Sequence, residues 1–567
     1  MFVDAIQLFI PEYLGELVEL VSNNSNLVFG DIKGIVLSIV IIAFSLLIGR
    51  IIMRFSILTS STKIEADIRR EMFNKAERLS QRYYHETKVG DIMSWFASDV
   101  EAVEEFVGWG TIMIVDALFL SVLTIVKMVK LDVVLCLVAL IPLVALIIWG
   151  NRVEKTMSDK WEERQKNFDK LYDYTHENFA GIRVIKAFVK EKQEQKGFDK
   201  VAKNNSDKNL EFAKLSIKFD VYIELIIGVL FAAILAAGSM LVYKYVTGNP
   251  FMVFNHPVQM SAGKLITFIG YVDVLIWPMI AMGQILQMHS RFMASYKRIK
   301  NFLVQEEEIK NSENPIVLDK VNGNIKFNNF SFNYPGDNKH ALNNITFEIK
   351  AGEMVGVVGK IGSGKTTLVN SLLRLYNVEK NSILIDDTDI MELDIKNLRD
   401  NIAYVPQDNF LFSDNIKNNI AFANSKLNIA DIRLAAKFAD VDDNIVGFAE
   451  GYETMTGERG VTLSGGQKQR ISIARAYIKD APIMILDDSV SAVDVKTEET
   501  ILNNIYEKRK GKTTIIIASR VSTVSHLDKI IVLKDGELEA FDTPSNLLEK
   551  SPTYKKMVYL QKLESEL

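Results

Sequence analysis

Long apolar stretches fill the first half of the chain, and short apolar runs broken by glycines and polar turns fill the second. Residues 34–58, 108–128, 131–150, 219–246 and 264–288 are each long enough to cross a hydrocarbon core of ~30 Å as a helix. The second and third of these are joined by a very short turn, and Pro278 in the last is a candidate kink. Residues 1–20 are mostly apolar but carry Asp4, Glu12, Glu16 and Glu19, which fits an amphipathic helix or the end of a span. Between the crossings, 59–107 and 151–218 keep helical periodicity with few breakers, so the helices are expected to continue well past the bilayer. Their charges then form a solvated face.

Charge orients the pattern. Residues 151–218 hold sixteen Lys and Arg, whereas 247–262 hold none, which places the first segment inside. Arg50 and Arg54 can snorkel at the inner end of their span. A net charge of -5 argues against nucleic-acid binding. The single cysteine, Cys136, excludes an internal disulfide and is expected as a small buried or lipid-facing residue. No removable signal peptide is expected at the start. Asp116, Asp220, Glu224 and Asp273 lie in the spans and are functional candidates because ionisable groups at that depth are costly.

After an acidic run, Glu306-Glu307-Glu308, strands and helices alternate as in an α/β domain. The apolar run 354–358 reads as a buried strand and 368–375 as a helix. Between them stands Gly359-Lys360-Ile361-Gly362-Ser363-Gly364-Lys365-Thr366-Thr367, a phosphate-binding loop. Its glycines let backbone amides turn around phosphate oxygens, and the helix start adds its positive end. Lys365 supplies a mobile cation, and Thr366 a hydroxyl for Mg²⁺. Residues 482–488 read as a second buried strand, ending in Asp487 and Asp488. Ser464 is placed to cap the helical run 468–478, which makes a second helix start able to face an anion.

Family resemblance enters through several motifs. Lys88-Val89-Gly90-Asp91-Ile92 followed by Ser98-Asp99-Val100 resembles the first cytoplasmic coupling region of ABC exporters. Glu177-Asn178-Phe179-Ala180-Gly181-Ile182-Arg183-Val184-Ile185-Lys186-Ala187-Phe188 is similar to the second. Leu463-Ser464-Gly465-Gly466-Gln467 resembles the ABC ATPase signature, and Thr456-Gly457-Glu458-Arg459-Gly460 upstream looks like exporters in particular. The resemblance implies an all-α polytopic membrane domain at 1–305, a linker at 306–322 and an α/β P-loop nucleotide-binding domain with a helical subdomain at 323–567. It also implies six spans. More apolar residues should then precede residue 9, which points to a clipped or mis-assigned start or a shortened first helix.

By the same resemblance the cofactors are ATP and Mg²⁺. Tyr334 would stack on adenine, while Gly359, Gly362, Ser363, Gly364, Lys365, Thr366 and Thr367 would hold the phosphates. Gln407, Thr366 and Asp487 would reach Mg²⁺. Ser464, Gly465, Gly466 and Gln467 would close over the γ-phosphate of a partner chain, and Ser491-Ala492-Val493-Asp494 would link the two composite sites. Two positions depart from the family pattern. Asp488 stands where the family usually has Glu as general base, and Ser519 where it has a switch histidine. Asp is shorter by one methylene, and a base must come within about 2.6–3.2 Å of its target.

The resemblance therefore implies a half-transporter in the cell membrane, with its nucleotide domain and C-terminus cytoplasmic. It would pair with a second half-transporter and export an unidentified substrate. The fused domain order favours export, and the altered pair of residues favours a heterodimer with a degenerate ATP site here. A slow homodimeric exporter is one alternative. Another is a nucleotide-gated regulatory or channel-like protein without active transport. The apolar crossings disfavour a soluble ABC ATPase.

Overall fold

A computed structural model of the chain describes residues 2–23, 29–253, 256–337, 339–424, 426–490 and 493–566. It divides into two compact units, Met1–Glu71 with Ser94–Asn301, and Met72–Met93 with Phe302–Leu567. A short stretch of the apolar half, Met72–Met93, thus clusters with the second unit rather than the first.

The first unit is helical. Its long helices are Phe29–Arg78, Thr111–Leu131, Val133–Ala180, Glu191–Val246 and Ala262–Leu303. Among the described residues, four helices are long and apolar enough to cross a membrane: Ile32–Arg78, Val89–Leu131, Glu191–Val246 and Ala262–Leu303. Val133–Pro142 adds a shorter apolar stretch. Val40, Ile41, Phe44, Leu47, Ile48, Ile51 and Ile52 are all exposed along Phe29–Arg78. A helix that is apolar yet uncovered suits lipid, not water. Helices do run beyond any bilayer thickness: Glu191–Val246 has 56 residues, about 84 Å at 1.5 Å per residue.

Several local expectations are sharpened. Residues 1–20 form two helices, Phe2–Gln7 and Phe9–Asn23, broken at the buried Leu8. The second fits closely against Ala262–Leu303. A Cβ on Gly15 would lie 1.9 Å from Thr267 Oγ1, and one on Gly263 2.3 Å from the Gly15 carbonyl. Small residues of this kind let membrane helices approach backbone to backbone. The short turn between the second and third spans is Asp132, whose carboxylate accepts from the Leu135 amide at 2.8 Å. The helix continues through Pro278, and Pro142 also lies inside a helix. Cys136 is buried.

Segment 59–107 is less continuous than its periodicity implies. The helix ends at Arg78, a short helix Gln81–Glu86 follows, and Val89–Ser94 restarts the path. Two π-helical turns then intervene, Trp95–Asp99 and Phe106–Gly110. The first ends on buried Asp99, which accepts two bonds from the Arg298 guanidinium at 2.6 and 2.5 Å and one from Ser295 Oγ at 2.9 Å. The ion pair and the serine hydroxyl replace the water that this buried carboxylate gives up.

The second unit is built on two sheets. Its strands are β1 (Ile325–Phe332), β2 (Leu342–Ile349), β3 (Met354–Gly359), β4 (Ile383–Ile385) and β5 (Thr388–Asp389). They continue as β6 (Ile402–Val405), β7 (Ile483–Asp487), β8 (Thr513–Ile517), β9 (Lys529–Lys534) and β10 (Glu537–Asp542). One sheet has the order β2-β1-β4-β5 and is antiparallel; the other has the order β10-β9-β3-β8-β7-β6. In the larger sheet only the β9–β10 pair is antiparallel. Every residue of β3, β7 and β8 is buried, as expected of parallel strands covered on both faces. Between β6 and β7 the chain is helical, including Ile429–Phe438 and Gly465–Tyr477.

Candidate functional site

The register of the parallel strands decides where the chemistry gathers. Ile517 on β8 pairs with Val357 on β3 and Asp487 on β7, and Val405 on β6 pairs with Leu486 on β7. The carboxyl ends of four neighbouring strands therefore lie along one edge, where open α/β sheets bind ligands. Just beyond those ends stand Ile361, Gly362, Gly364, Lys365, Thr366, Asp488, Ser519 and Gln407. Together with Tyr334, Ala341, Thr367, Asp487 and Ile517 they line a cavity of about 370 Å³.

The loop between β3 and the helix Lys365–Leu372 has the backbone its glycines allow. Gly362 and Gly364 have φ of +83° and +97°, in the left-handed region that costs a residue with a Cβ. A Cβ at Gly364 would also meet Leu342 Cδ2 at 2.6 Å. At Gly359 it would meet the Leu533 carbonyl at 2.4 Å. Lys365 Nζ donates to the carbonyls of Gly359 and Lys360 at 2.9 and 3.0 Å, folding the ammonium over its own loop. Burial pushes its pKa below the ordinary lysine value, opposed by the nearby Asp488 and Asp487. Ser363 Oγ is buried and has no hydrogen-bond partner.

Asp487 is 2% exposed at the end of β7. Burial raises its pKa, while hydrogen bonds from Thr366 and Tyr404 pull the other way. One carboxylate oxygen, Oδ2, has no hydrogen-bond partner among the described residues. A buried orphan acceptor is costly unless a ligand completes it. Thr366, Asp487 and Gln407 can each offer a side-chain oxygen, the donor type that a hard ion such as Mg²⁺ takes. Among the described residues no group of three or more His, Cys, Asp or Glu could form an all-protein metal cage.

Asp488 occupies strained backbone, with φ of +47°. Its amide donates to the Ile517 carbonyl at 3.0 Å, and its carbonyl accepts from Gln469 Nε2 at 3.2 Å. Ser519 Oγ donates to Asp488 Oδ1 at 3.3 Å. The two residues that depart from the family pattern therefore touch each other.

Tyr334 is half-buried beside the loop, with its hydroxyl 3.0 Å from Thr367 Oγ1. Its ring meets Phe332 and Tyr376 edge-on, at 5.2 and 5.4 Å between centroids.

The other predicted cluster lies elsewhere. Ser464, Gly465, Gly466 and Gln467 do not line the cavity. Ser464 caps Gly465–Tyr477 in a full capping box: its Oγ accepts from the Gln467 amide at 3.3 Å, and Gln467 Oε1 accepts from the Ser464 amide at 2.9 Å. The serine hydroxyl still has its own hydrogen to donate. Ser464 and Gly465 are exposed, and a Cβ on Gly465 would meet nothing within 4 Å. Ser491 and Ala492 lie outside the described residues. Asp494 beyond them caps Val495–Lys508, accepting from the Thr497 amide at 3.1 Å.

Sequence reasoning missed Tyr404 beside Asp487 and Gln469 under Asp488. Both side chains come from elements quoted for other residues, and no motif marks them. Of the candidate acids in the spans, Asp220, Glu224 and Asp273 are exposed and Asp116 is half-buried.

A helical membrane unit joined to a sheet-edge phosphate loop defines an ATP-binding membrane protein. Residues 1–279 match the ABC transporter transmembrane region, and residues 342–491 match the ABC transporter nucleotide domain. The multidrug resistance-like ATP-binding protein MdlA of Buchnera aphidicola (Schizaphis graminum) is 33% identical over 564 residues, covering 99% of this chain and 94% of that protein. MdlA of Escherichia coli is 32% identical, over 99% and 93%. The probable multidrug resistance ABC transporter ATP-binding/permease protein YheI of Bacillus subtilis is 34% identical, over 88% and 83%. A bacterial Atm1-family ABC exporter with ATP bound has the same fold: TM-score 0.80, 23% identity, covering 99% of this chain and 96% of that one. The chain belongs to the ABC transporter family, with the fold of an ABC exporter and an ATPase domain that binds ATP.

Proposed function

We propose that the chain is one half of an ATP-driven exporter that works as a heterodimer, and that its own ATP site holds nucleotide but hydrolyses it slowly. The 3.3 Å contact between Ser519 Oγ and Asp488 Oδ1 carries this proposal. Where a glutamate and a histidine would each face the γ-phosphate, two shorter side chains engage one another. The binding machinery is otherwise whole. Gly359, Gly362, Ser363, Gly364, Lys365, Thr366 and Thr367 hold the phosphates, and Tyr334 takes the adenine. Mg²⁺, when bound, neutralises phosphate charge, and Thr366, Asp487 and Gln407 supply its protein oxygens. With Asp488 as a short base, the attacking water is poorly held.

The signature supports the dimer. Exposed and not lining the cavity, Ser464 and its helix start would face no phosphate of their own chain. Presented to a partner's phosphate loop, they would complete the partner's site. Phe179, Val184, Phe188 and Val189, around the helix Ile182–Ala187, are exposed too. In an aqueous segment, that apolar cluster favours burial against a partner chain.

Multidrug-type names among the relatives favour amphipathic organic substrates, with Glu224 and Asp273 candidates to face a cation. The basic segment 151–218 supports a cytoplasmic nucleotide domain. The test replaces Asp488→Glu and Ser519→His together in the assembled transporter. ATP turnover should rise severalfold; an unchanged rate contradicts the degenerate site.

A further inference from the structure

The segment Met72–Met93 clusters with the ATPase unit, and its contacts are specific. Lys75 Nζ donates to Glu307 at 3.0 Å, Ser80 Oγ to Glu308 at 2.8 Å and Arg82 to Glu308 at 3.0 Å. Tyr83 packs on Phe302 with centroids 6.1 Å apart. These bonds fix the short helix Gln81–Glu86, which carries His85 near its end.

His85 Nδ1 lies 3.2 Å from the hydroxyl of Tyr376. Tyr376 is 4% exposed and follows the helix that begins at the phosphate loop. Burial raises its pKa, so the phenol stays protonated and remains a donor. Its ring meets Tyr334 edge-on at 5.4 Å and Phe332 at 5.6 Å. Tyr334 in turn bonds Thr367 at 3.0 Å. A continuous line of packed aromatic rings thus joins the loop helix to an exposed histidine on the segment leading from the membrane helices. Rigid rings in such a line transmit a displacement, because a close-packed interior cannot absorb it.

We propose that Tyr376 and His85 are positioning residues that relay occupancy of the adenine platform at Tyr334 to the Gln81–Glu86 segment. The proposal rests on Tyr334 being the adenine platform. Nucleotide stacking on Tyr334 fixes that ring, Tyr376 holds its edge, and the Tyr376–His85 bond carries the set position to the segment. The hydroxyl is needed for the last step only. Ring packing and transmission are thereby separable by mutation.

The test uses the full-length chain in its assembled transporter, reconstituted in lipid nanodiscs, with ATP as the probe. Tyr376→Phe keeps the ring and removes the hydroxyl. It should lower kcat for ATP at least threefold and leave KM within twofold. His85→Ala should do the same, and the double variant should be no worse than either single one. His85→Gln, which can still hydrogen-bond, should recover at least half of the loss. Wild-type kcat in Tyr376→Phe, or additive losses in the double variant, would overturn the relay. Tyr334→Ala tests the platform separately. It should weaken binding of a fluorescent ATP analogue to this chain's own loop several-fold, and unchanged binding would remove the adenine assignment whatever the other variants show.

Discussion

Two helix starts in this chain are built for anions, and they differ in what surrounds them. The start at Lys365 opens into a cavity with a buried carboxylate, an orphaned acceptor and a folded-over lysine. The start at Ser464 is exposed and fully capped, and it does not line that cavity. On the proposed reading the first holds a nucleotide beside altered hydrolytic residues, and the second completes a partner's site. Binding and completing a catalytic site would then be separate duties, which one chain can keep while losing the chemistry between them.

Blocking the second start should have the largest effect. Ser464→Arg fills the space where a partner's phosphate would sit. Turnover of the assembled transporter should fall about a hundredfold, ~2.7 kcal/mol on the barrier. Nucleotide binding by this chain's own loop, read with a fluorescent ATP analogue, should stay unchanged. A matching loss of binding would erase the distinction between the two starts.

Lys365→Ala comes next. A hydrogen bond to a charged group is worth about 1.5–3 kcal/mol, so affinity for ATP at this site should fall roughly 10- to 150-fold. Turnover should fall less than in the Ser464 variant if the productive site is the partner's. Equal losses would mean that both duties serve one site.

A smaller effect concerns the membrane unit. Gly15→Leu inserts a side chain where a Cβ already sits 1.9 Å from Thr267 Oγ1. Overpacking of this kind costs about 1–3 kcal/mol, so the melting temperature in detergent should drop while ATP affinity stays the same.

The smallest expected effect is on stability with pH. Burial raises the Asp487 pKa above its unfolded value, so the native state favours the protonated acid. That contribution is complete at low pH and is lost as pH rises through the folded pKa. Asp487→Asn should therefore raise the melting temperature of the nucleotide-free protein at pH 8 and give little change at pH 4, while weakening Mg²⁺-dependent binding. A lower melting temperature at pH 8 would contradict the buried-charge account.

Much of this was legible beforehand because the chemistry is local. The phosphate loop needs glycines at fixed spacing between a strand and a helix, and Ser464 and Gln467 form their box three residues apart. Four of the five expected spans were legible from length and apolarity alone, and among the described residues the fifth, 131–150, has only the shorter apolar stretch Val133–Pro142. What stayed hidden depends on the third dimension. Gln469 reaches Asp488 across 19 residues and Tyr376 reaches His85 across 291, with no periodicity to announce either. The break at Leu8 and the π-helical turns Trp95–Asp99 and Phe106–Gly110 escape a helical pattern for the same reason. Each keeps the residue types of a helix and changes only the backbone, to suit packing against a distant element.

ATP hydrolysis by this chain, purified without a partner and reconstituted in lipid, tests the central claim most directly when set beside its Asp488→Glu, Ser519→His form. The unaltered chain should bind ATP but turn it over at no more than about a tenth of the rate of the altered one, ~1.4 kcal/mol of barrier. Rapid turnover by the unaltered chain alone, unimproved by those substitutions, would contradict it.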